Sequence, residues 1–322
     1  MDDYLDFARG LDCVKEMERQ ARVKIHTTRA ASSAELFRRL REVDIVVAVR
    51  DRVIFDAVTI ANMPNVRLIS VCGPRVAPHI DVAAATAHGI AVSLPARGGR
   101  LRFAHTGTVE TTWNLILGLA KDVVINDHVV RSGGWQTRAG RDLAEKTLGI
   151  IGLGSIGQRV ARVARAFEMN VVAWSPSLTQ EQARAAGAAR VELRELLAQS
   201  DIVSIHANLT PHSENLIGEA ELAGMKQHAL LVNTSRAALV NEAALRDALA
   251  KGVIAGAGLD VYWDEPLAEN HWLRNEMNVL LQPHMGGFTK EGYAALLTPA
   301  VKNVLAFLAG MPTDVINPDA LR

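Results

Sequence analysis

The sequence predicts an α/β protein whose parallel β-sheets are covered by helices on both faces. Three observations carry this. Short apolar runs alternate with amphipathic stretches along the chain, and one glycine-rich turn joins an apolar run to a helical pattern. At 322 residues, 49% hydrophobic and 22% charged, the chain has enough apolar material for about two domains. The apolar runs are DIVVAV (44–49), VRLISVCG (66–73), IAVSL (90–94), TLGIIGLG (147–154), NVVAW (170–174), DIVSIHA (201–207), ALLVNTS (229–235), IAGAGLDV (254–261) and NVLLQPH (278–284). Strands buried on both faces lose the in-out alternation of a half-exposed sheet, and these runs lack it.

ELFRRLRE and NEAALRDALAKG read as connecting helices, the second closing on Gly252. A helical stretch at about 111–126 separates an N-terminal set of strands from a central set beginning at LGIIGLG. A last helix at about 292–308 has no strand after it and is expected to pack back on the first domain. The expected division is a discontinuous first domain, 1–112 plus 291–322, and a second domain, 113–290.

Lysine plus arginine, 35, equals aspartate plus glutamate, 35, so no overall field draws the chain to nucleic acid or to an anionic membrane. The expected partner is a small molecule. Cys13 and Cys72 cannot build a disulfide framework, and the opening MDDYLDF lacks the basic and apolar regions of a signal peptide, so a cytoplasmic location is expected. No apolar run reaches the roughly 18 residues of a membrane span. A C-x-x-C metal pattern is also lacking, and no metal is expected.

In GIIGLGSIGQRVARVARAF, Gly152, Gly154 and Gly157 form G-x-G-x-x-G directly after a strand and at the opening of a helix. The glycines allow a tight turn, close approach to a pyrophosphate and close helix–strand packing, while Ser155 and Ile156 begin the helix whose N–H groups face the phosphates. A carboxylate that takes the adenosine ribose belongs about 20 residues further on. Ser175 stands there instead. A serine hydroxyl bonds a 2′-hydroxyl without repelling a 2′-phosphate, so NAD and NADP both stay open. SPSLT adds no arginine for that phosphate, and Arg184 lies further along.

Three more strand ends carry polar residues: Arg236 after LLVNTS, Glu265 after GLDVYWD and His284 at the end of NVLLQPH. Ligands of open α/β sheets lie beyond the carboxyl ends of the strands. The planar fork of an arginine matches a carboxylate, and an imidazole paired with a carboxylate serves as a general acid near neutrality. Taken singly, each residue also has a structural reading: a salt-bridged turn, an acid opening a loop before proline, a satisfied core histidine.

Their order resembles the D-isomer-specific 2-hydroxyacid dehydrogenases. The resemblance runs from CGPRVAPHIDVAAATAHGIAV through VETTWNLILGLAKD, GGW and KTLGIIGLGSIG to LVNTSRAALVNEAAL, GLDVYWDEPL and QPHMGG. It implies two Rossmann-like domains with the active site in the cleft between them, a homodimer, and hydride transfer between NAD(P) and a 2-keto or 2-hydroxy acid. It also implies that Arg236, Glu265 and His284 are the catalytic arginine, glutamate and histidine, with His284 giving the carbonyl its proton. By the same resemblance Asp260 and Thr234 lie by the nicotinamide, Thr108 near its carboxamide or phosphates, Asn208 along the cofactor path, and Gly73 offers a backbone N–H to the substrate carboxylate.

The departures shape the substrate expectation. In CGPRVAPHID, Pro74 removes a backbone donor and Arg75 adds a charge suited to a second anionic group. Ala237 replaces the glycine common after the arginine. PARGGRLRFAHTG (95–107), with Arg97, Arg100 and Arg102, reads as a basic loop, either near the mouth of the cleft or solvated on the surface. The family's opening strand is not seen before MDDYLDF: either that strand is lost or the start was assigned late, and a missing strand would leave an exposed sheet edge. Glyoxylate, hydroxypyruvate, phosphohydroxypyruvate and bulkier keto acids all remain open. The competing reading is a catalytically weak NAD(H)-sensing binding protein on the same scaffold.

Overall fold

The computed structural model describes residues 3–49, 52–73, 76, 79–95 and 101–322, with 101–104 described by backbone alone. It divides into two compact units, Met1–Ala104 with Thr289–Arg322, and His105–Phe288. The first crossing falls inside a helix, earlier than 112/113. Trp113, Leu115 and Ile116 of that helix are buried in the core of the larger unit with Leu148 and Ile150.

In the smaller unit, β1 (Ile45–Val49), β2 (Leu68–Cys72) and β3 (Ala91–Ser93) form a parallel sheet in that order. Every residue of β2 is buried, as expected of a central strand covered on both faces. The helix Lys290–Leu308 packs on β2, and the Ser70 hydroxyl donates to the Ala300 carbonyl at 2.8 Å. The outer side of β3 is closed by the C-terminal segment: Leu94 N–H donates to Asp314 and Ile316 N–H to Val92.

The outer side of β1 is different. It faces a cavity of about 620 Å³ lined by Val23, Ile25, Leu40, Val46, Leu297 and Val301 among others. Val23 and Ile25 are half-buried while Arg22 and Lys24 are exposed, a period-two pattern, although residues 22–26 are not themselves a strand. The edge expected to be exposed thus borders this cavity.

In the larger unit, β4 (Thr147–Ile151), β5 (Asn170–Trp174), β6 (Ala189–Arg190), β7 (Ile202–Ile205), β8 (Leu230–Asn233), β9 (Gly256–Leu259) and β10 (Val279–Leu281) form a parallel sheet. The order is β10-β9-β8-β7-β4-β5-β6. The chain therefore runs outward from β4 through β5 to β6, returns to β7 and proceeds the other way. This reversal beside β4 is the switch point at which such sheets bind ligands.

Two elements differ from expectation. The short β6 has no apolar run to announce it. The helix expected over 111–126 is instead Leu101–Ala120, followed by Val123–Arg131. Residues 101–107 are consequently helical and not a loop, and tertiary contacts outweigh the weak helix propensity of Thr106 and Gly107: Arg159 donates to the Thr106 hydroxyl and His105 meets Ser155. Pro74, Arg75, Arg97 and Arg100, and the side chain of Arg102, lie outside the described residues.

Candidate active site

The carboxyl ends of the larger sheet's strands carry most of the expected site. Read across the sheet, Ser175 follows β5, the glycine turn follows β4, Asn208 lies beyond β7, Arg236 beyond β8, Glu265 beyond β9 and His284 beyond β10. Gly73 is elsewhere, buried after β2 in the smaller unit.

The turn after β4 is built for a close approach. Gly152 has a φ of +97°, and a Cβ there would lie 2.6 Å from the His206 carbonyl carbon. A Cβ on Gly157 would collide with the Gly152 carbonyl oxygen, so only glycine lets the helix Ser155–Ala166 sit this near β4. Gly154 is the opposite case, since a Cβ there meets nothing within 4 Å. Open space before the unpaired N–H groups of a helix start is what a pyrophosphate requires. The residues present therefore fit a dinucleotide. Gly152 N–H donates to Trp174 O at 2.8 Å, which sets Ser175 next to the turn.

At the other end of the sheet, His284 Nδ1 lies 2.6 Å from Glu265 Oε2, and Glu265 Oε1 accepts from Tyr262 N–H at 3.0 Å. The carboxylate is thus fixed by both oxygens and orients the ring, leaving Nε2 as the outward nitrogen. His284 adopts a φ of +57°, a region that residues with a Cβ seldom occupy. Its N–H closes a turn on Gln282 O at 3.0 Å, and Tyr262 hydroxyl donates to the same carbonyl at 2.8 Å. Burial first, then Asp260 and Glu265, raise the Tyr262 phenol well above its usual value, so it remains a donor.

Asp260 is buried and uses both oxygens on the loop beyond His284, accepting from Met285 N–H at 2.6 Å and Gly286 N–H at 2.8 Å. Thr108 hydroxyl donates to Gly286 O at 2.9 Å, so the long helix braces the same loop. Thr234 and Thr112 hydroxyls meet at 2.9 Å. Asn233 accepts from Ser235 N–H and donates to Arg236 O, a two-sided clamp that fixes the turn while the Arg236 side chain stays exposed. Ala237 is buried in the following turn.

Two residues here were not anticipated from the sequence. His206, after β7, has its Nε2 2.9 Å from the Ser204 hydroxyl, and burial pushes it down to about 4. His105 has its Nδ1 3.2 Å from the Ser155 hydroxyl at the helix start. Reading a helix back to Leu101 exposes the signal: His105, Thr108 and Thr112 share one face at i, i+3 and i+7.

A glycine turn at the switch point and a carboxylate-oriented histidine on the same carboxyl edge of the sheet define a dinucleotide-dependent oxidoreductase. Residues 113–286 match the family model for the NAD binding domain of D-isomer specific 2-hydroxyacid dehydrogenases. The chain is 39% identical over 298 residues to a glyoxylate reductase of Aeropyrum pernix, covering 89% of this chain and 87% of that one. It is 33% identical over 310 residues to a D-3-phosphoglycerate dehydrogenase of Methanocaldococcus jannaschii, covering 95% of this chain and 57% of the other. A D-3-phosphoglycerate dehydrogenase oxidoreductase of Ralstonia solanacearum superposes with a TM-score of 0.92 at 33% identity, over 100% of this chain and 96% of that one. The chain belongs to the D-isomer-specific 2-hydroxyacid dehydrogenase family, and its cofactor is NAD(P).

Proposed function

We propose that this protein reduces a short 2-keto acid of glyoxylate or hydroxypyruvate size, with Arg236 holding the carboxylate and His284 handling the proton. The observation that carries the reading is the 2.6 Å Glu265–His284 hydrogen bond at the carboxyl edge of the sheet. When bound, the reduced nicotinamide supplies the hydride that the carbonyl carbon receives. Nε2 of His284 gives its proton to the carbonyl oxygen, and Nδ1 keeps its own toward Glu265, so the ring ends neutral and oriented for the reverse step. Arg236 matches the two carboxylate oxygens with two parallel N–H donors, which also fixes the keto group. Asp260 positions His284 by holding the loop beyond it, and Thr234 and Asn208 are assigned to the cofactor's path.

The size assignment draws on likeness. The glyoxylate reductase of Aeropyrum pernix is 39% identical to this chain, against 33% for the phosphoglycerate dehydrogenases of Methanocaldococcus jannaschii and Ralstonia solanacearum. We also assign a homodimer. The helix Val123–Arg131 buries none of its residues, and Val123, Val124, Val130 and Trp135 are all more than half exposed. Clustered apolar surface of this kind marks an interface. Two free cysteines, one buried in β2, fit the reducing cytoplasm.

The test is oxidation of NADH and of NADPH, in parallel, against glyoxylate, hydroxypyruvate, phosphohydroxypyruvate and bulkier 2-keto acids. The two short acids should give the highest kcat/KM. A preference for the phosphorylated acid would overturn the size assignment, and cofactor binding without any turnover would overturn the reductase. Light scattering at a chromatographic peak gives the subunit count.

A further inference from the structure

The helix Leu101–Ala120 does more than brace the loop beyond His284. Its His105 ring lies against the first residue of the helix after the glycine turn, Nδ1 to Ser155 Oγ at 3.2 Å. One turn further along, Arg159 donates from Nη1 to the Thr106 hydroxyl at 3.2 Å. An imidazole and a guanidinium from two helices therefore flank the helix start, beside the open space in front of Gly154. The nucleotide's pyrophosphate belongs in that space.

We propose that His105 and Arg159 are phosphate partners of the bound nucleotide, and that His105 takes up one proton as the nucleotide binds. The inference rests on the NAD(P) reading of the glycine turn and goes beyond it by assigning two residues outside the motif. Two negative charges brought beside an imidazole favour its charged form, so proton and nucleotide bind with positive linkage. In the free protein, burial first and Arg159 second hold the ring below its usual range, leaving it neutral near pH 7. Among the described residues Arg159 is the charged group acting on it, and Ser155 and Thr106 are the neutral polar groups around the pair. Binding should then strengthen as pH falls from the titration range of the complex toward that of the free protein.

The probe is ADP-ribose, which carries the pyrophosphate but no nicotinamide. Each of its phosphorus atoms carries one ester and one anhydride link and a single strongly acidic oxygen, so its own charge stays constant between pH 6 and 8.5, and it does not report on His284. Calorimetric titration of the wild-type protein in two buffers of different ionisation enthalpy should show net proton uptake near pH 7.5. The dissociation constant should rise by up to about tenfold per pH unit across the linked range. His105→Asn keeps a group able to bond Ser155 but cannot ionise; it should abolish the uptake and flatten the pH dependence. Arg159→Gln should weaken binding at every pH. Tight, pH-independent binding of ADP-ribose to the wild type without proton uptake would overturn the proposal while sparing the NAD(P) reading. So would an uptake that His105→Asn leaves unchanged. Failure of the wild type to bind ADP-ribose at all would instead count against the glycine turn. The wild-type measurement stands even if a variant does not fold.

Discussion

The two units use the same parallel-sheet architecture to different degrees of completion. In the larger unit seven strands present a continuous carboxyl edge, and nearly every candidate site residue stands on it, from Ser175 beyond β5 to His284 beyond β10. In the smaller unit three strands are closed on the β3 side by the C-terminal segment, while β1 looks into a cavity of about 620 Å³. The comparison teaches that rigidity is concentrated where chemistry needs it. Glu265, Asp260 and Asn233 are each fixed by two hydrogen bonds, whereas much of the cavity wall is apolar side chain such as Val23, Ile25, Leu297 and Val301.

Breaking the complete unit should have the largest effect. His284→Ala removes the proposed proton donor and should lower kcat by about 10²–10⁴-fold, with ADP-ribose affinity unchanged. Pre-steady-state and binding measurements together check this, and an unaltered kcat would remove His284 from the reaction. Next, Ser175→Asp places a carboxylate where a ribose 2′-phosphate would lie. NADPH should lose about tenfold or more in kcat/KM while NADH is spared, since one opposed charge pair is worth on the order of 1 kcal/mol or more. Equal losses with both cofactors would mean that the end of β5 does not face the ribose.

Acid should discriminate between the units more gently. The folded protein holds His206 near 4, below the unfolded value of about 6.5. The unfolded chain therefore binds the extra proton first, and the larger unit's stability is full above about pH 6.5 and falls as pH drops toward about 4. Asp201 behaves similarly at lower pH: burial alone would raise it, but the Thr147 N–H, Lys226 and His228 bring it to about 2, so its contribution persists until below about pH 4. Thermal unfolding followed between pH 7 and 4.5 should show Tm falling, and His206→Gln should flatten that fall. The smallest effect is expected in the incomplete unit. Val23→Ile adds one methylene toward the cavity and should raise stability by about 0.5–1 kcal/mol, measurable by urea unfolding; destabilisation would mean that the space is not free to accept it.

Most of this architecture is legible in the sequence because strands buried on both faces write themselves as unbroken apolar runs. NVVAW is β5 to the residue, and the glycine turn falls where a strand meets a helix. Glu265 and His284 could be paired from strand order, since β9 and β10 are neighbours. What escaped notice was decided by tertiary contact. Glycine and arginine ahead of Leu101 resemble a loop, and among the described residues the docking of His105 on Ser155 and of Thr106 on Arg159 supports the helix there. The role of Asp260 was hidden for a similar reason: its partners Met285 and Gly286 lie 25 and 26 residues away in sequence.

The cavity beside β1 also has a spectroscopic consequence. Its lining holds Tyr293 and, among the described residues, no tryptophan. The tryptophans at 113, 135, 174, 263 and 272, all five of the chain, belong to the other unit. A loosening confined to the smaller unit should therefore leave the protein's tryptophan emission unchanged, while Tyr4 and Tyr293, both in that unit, report the event.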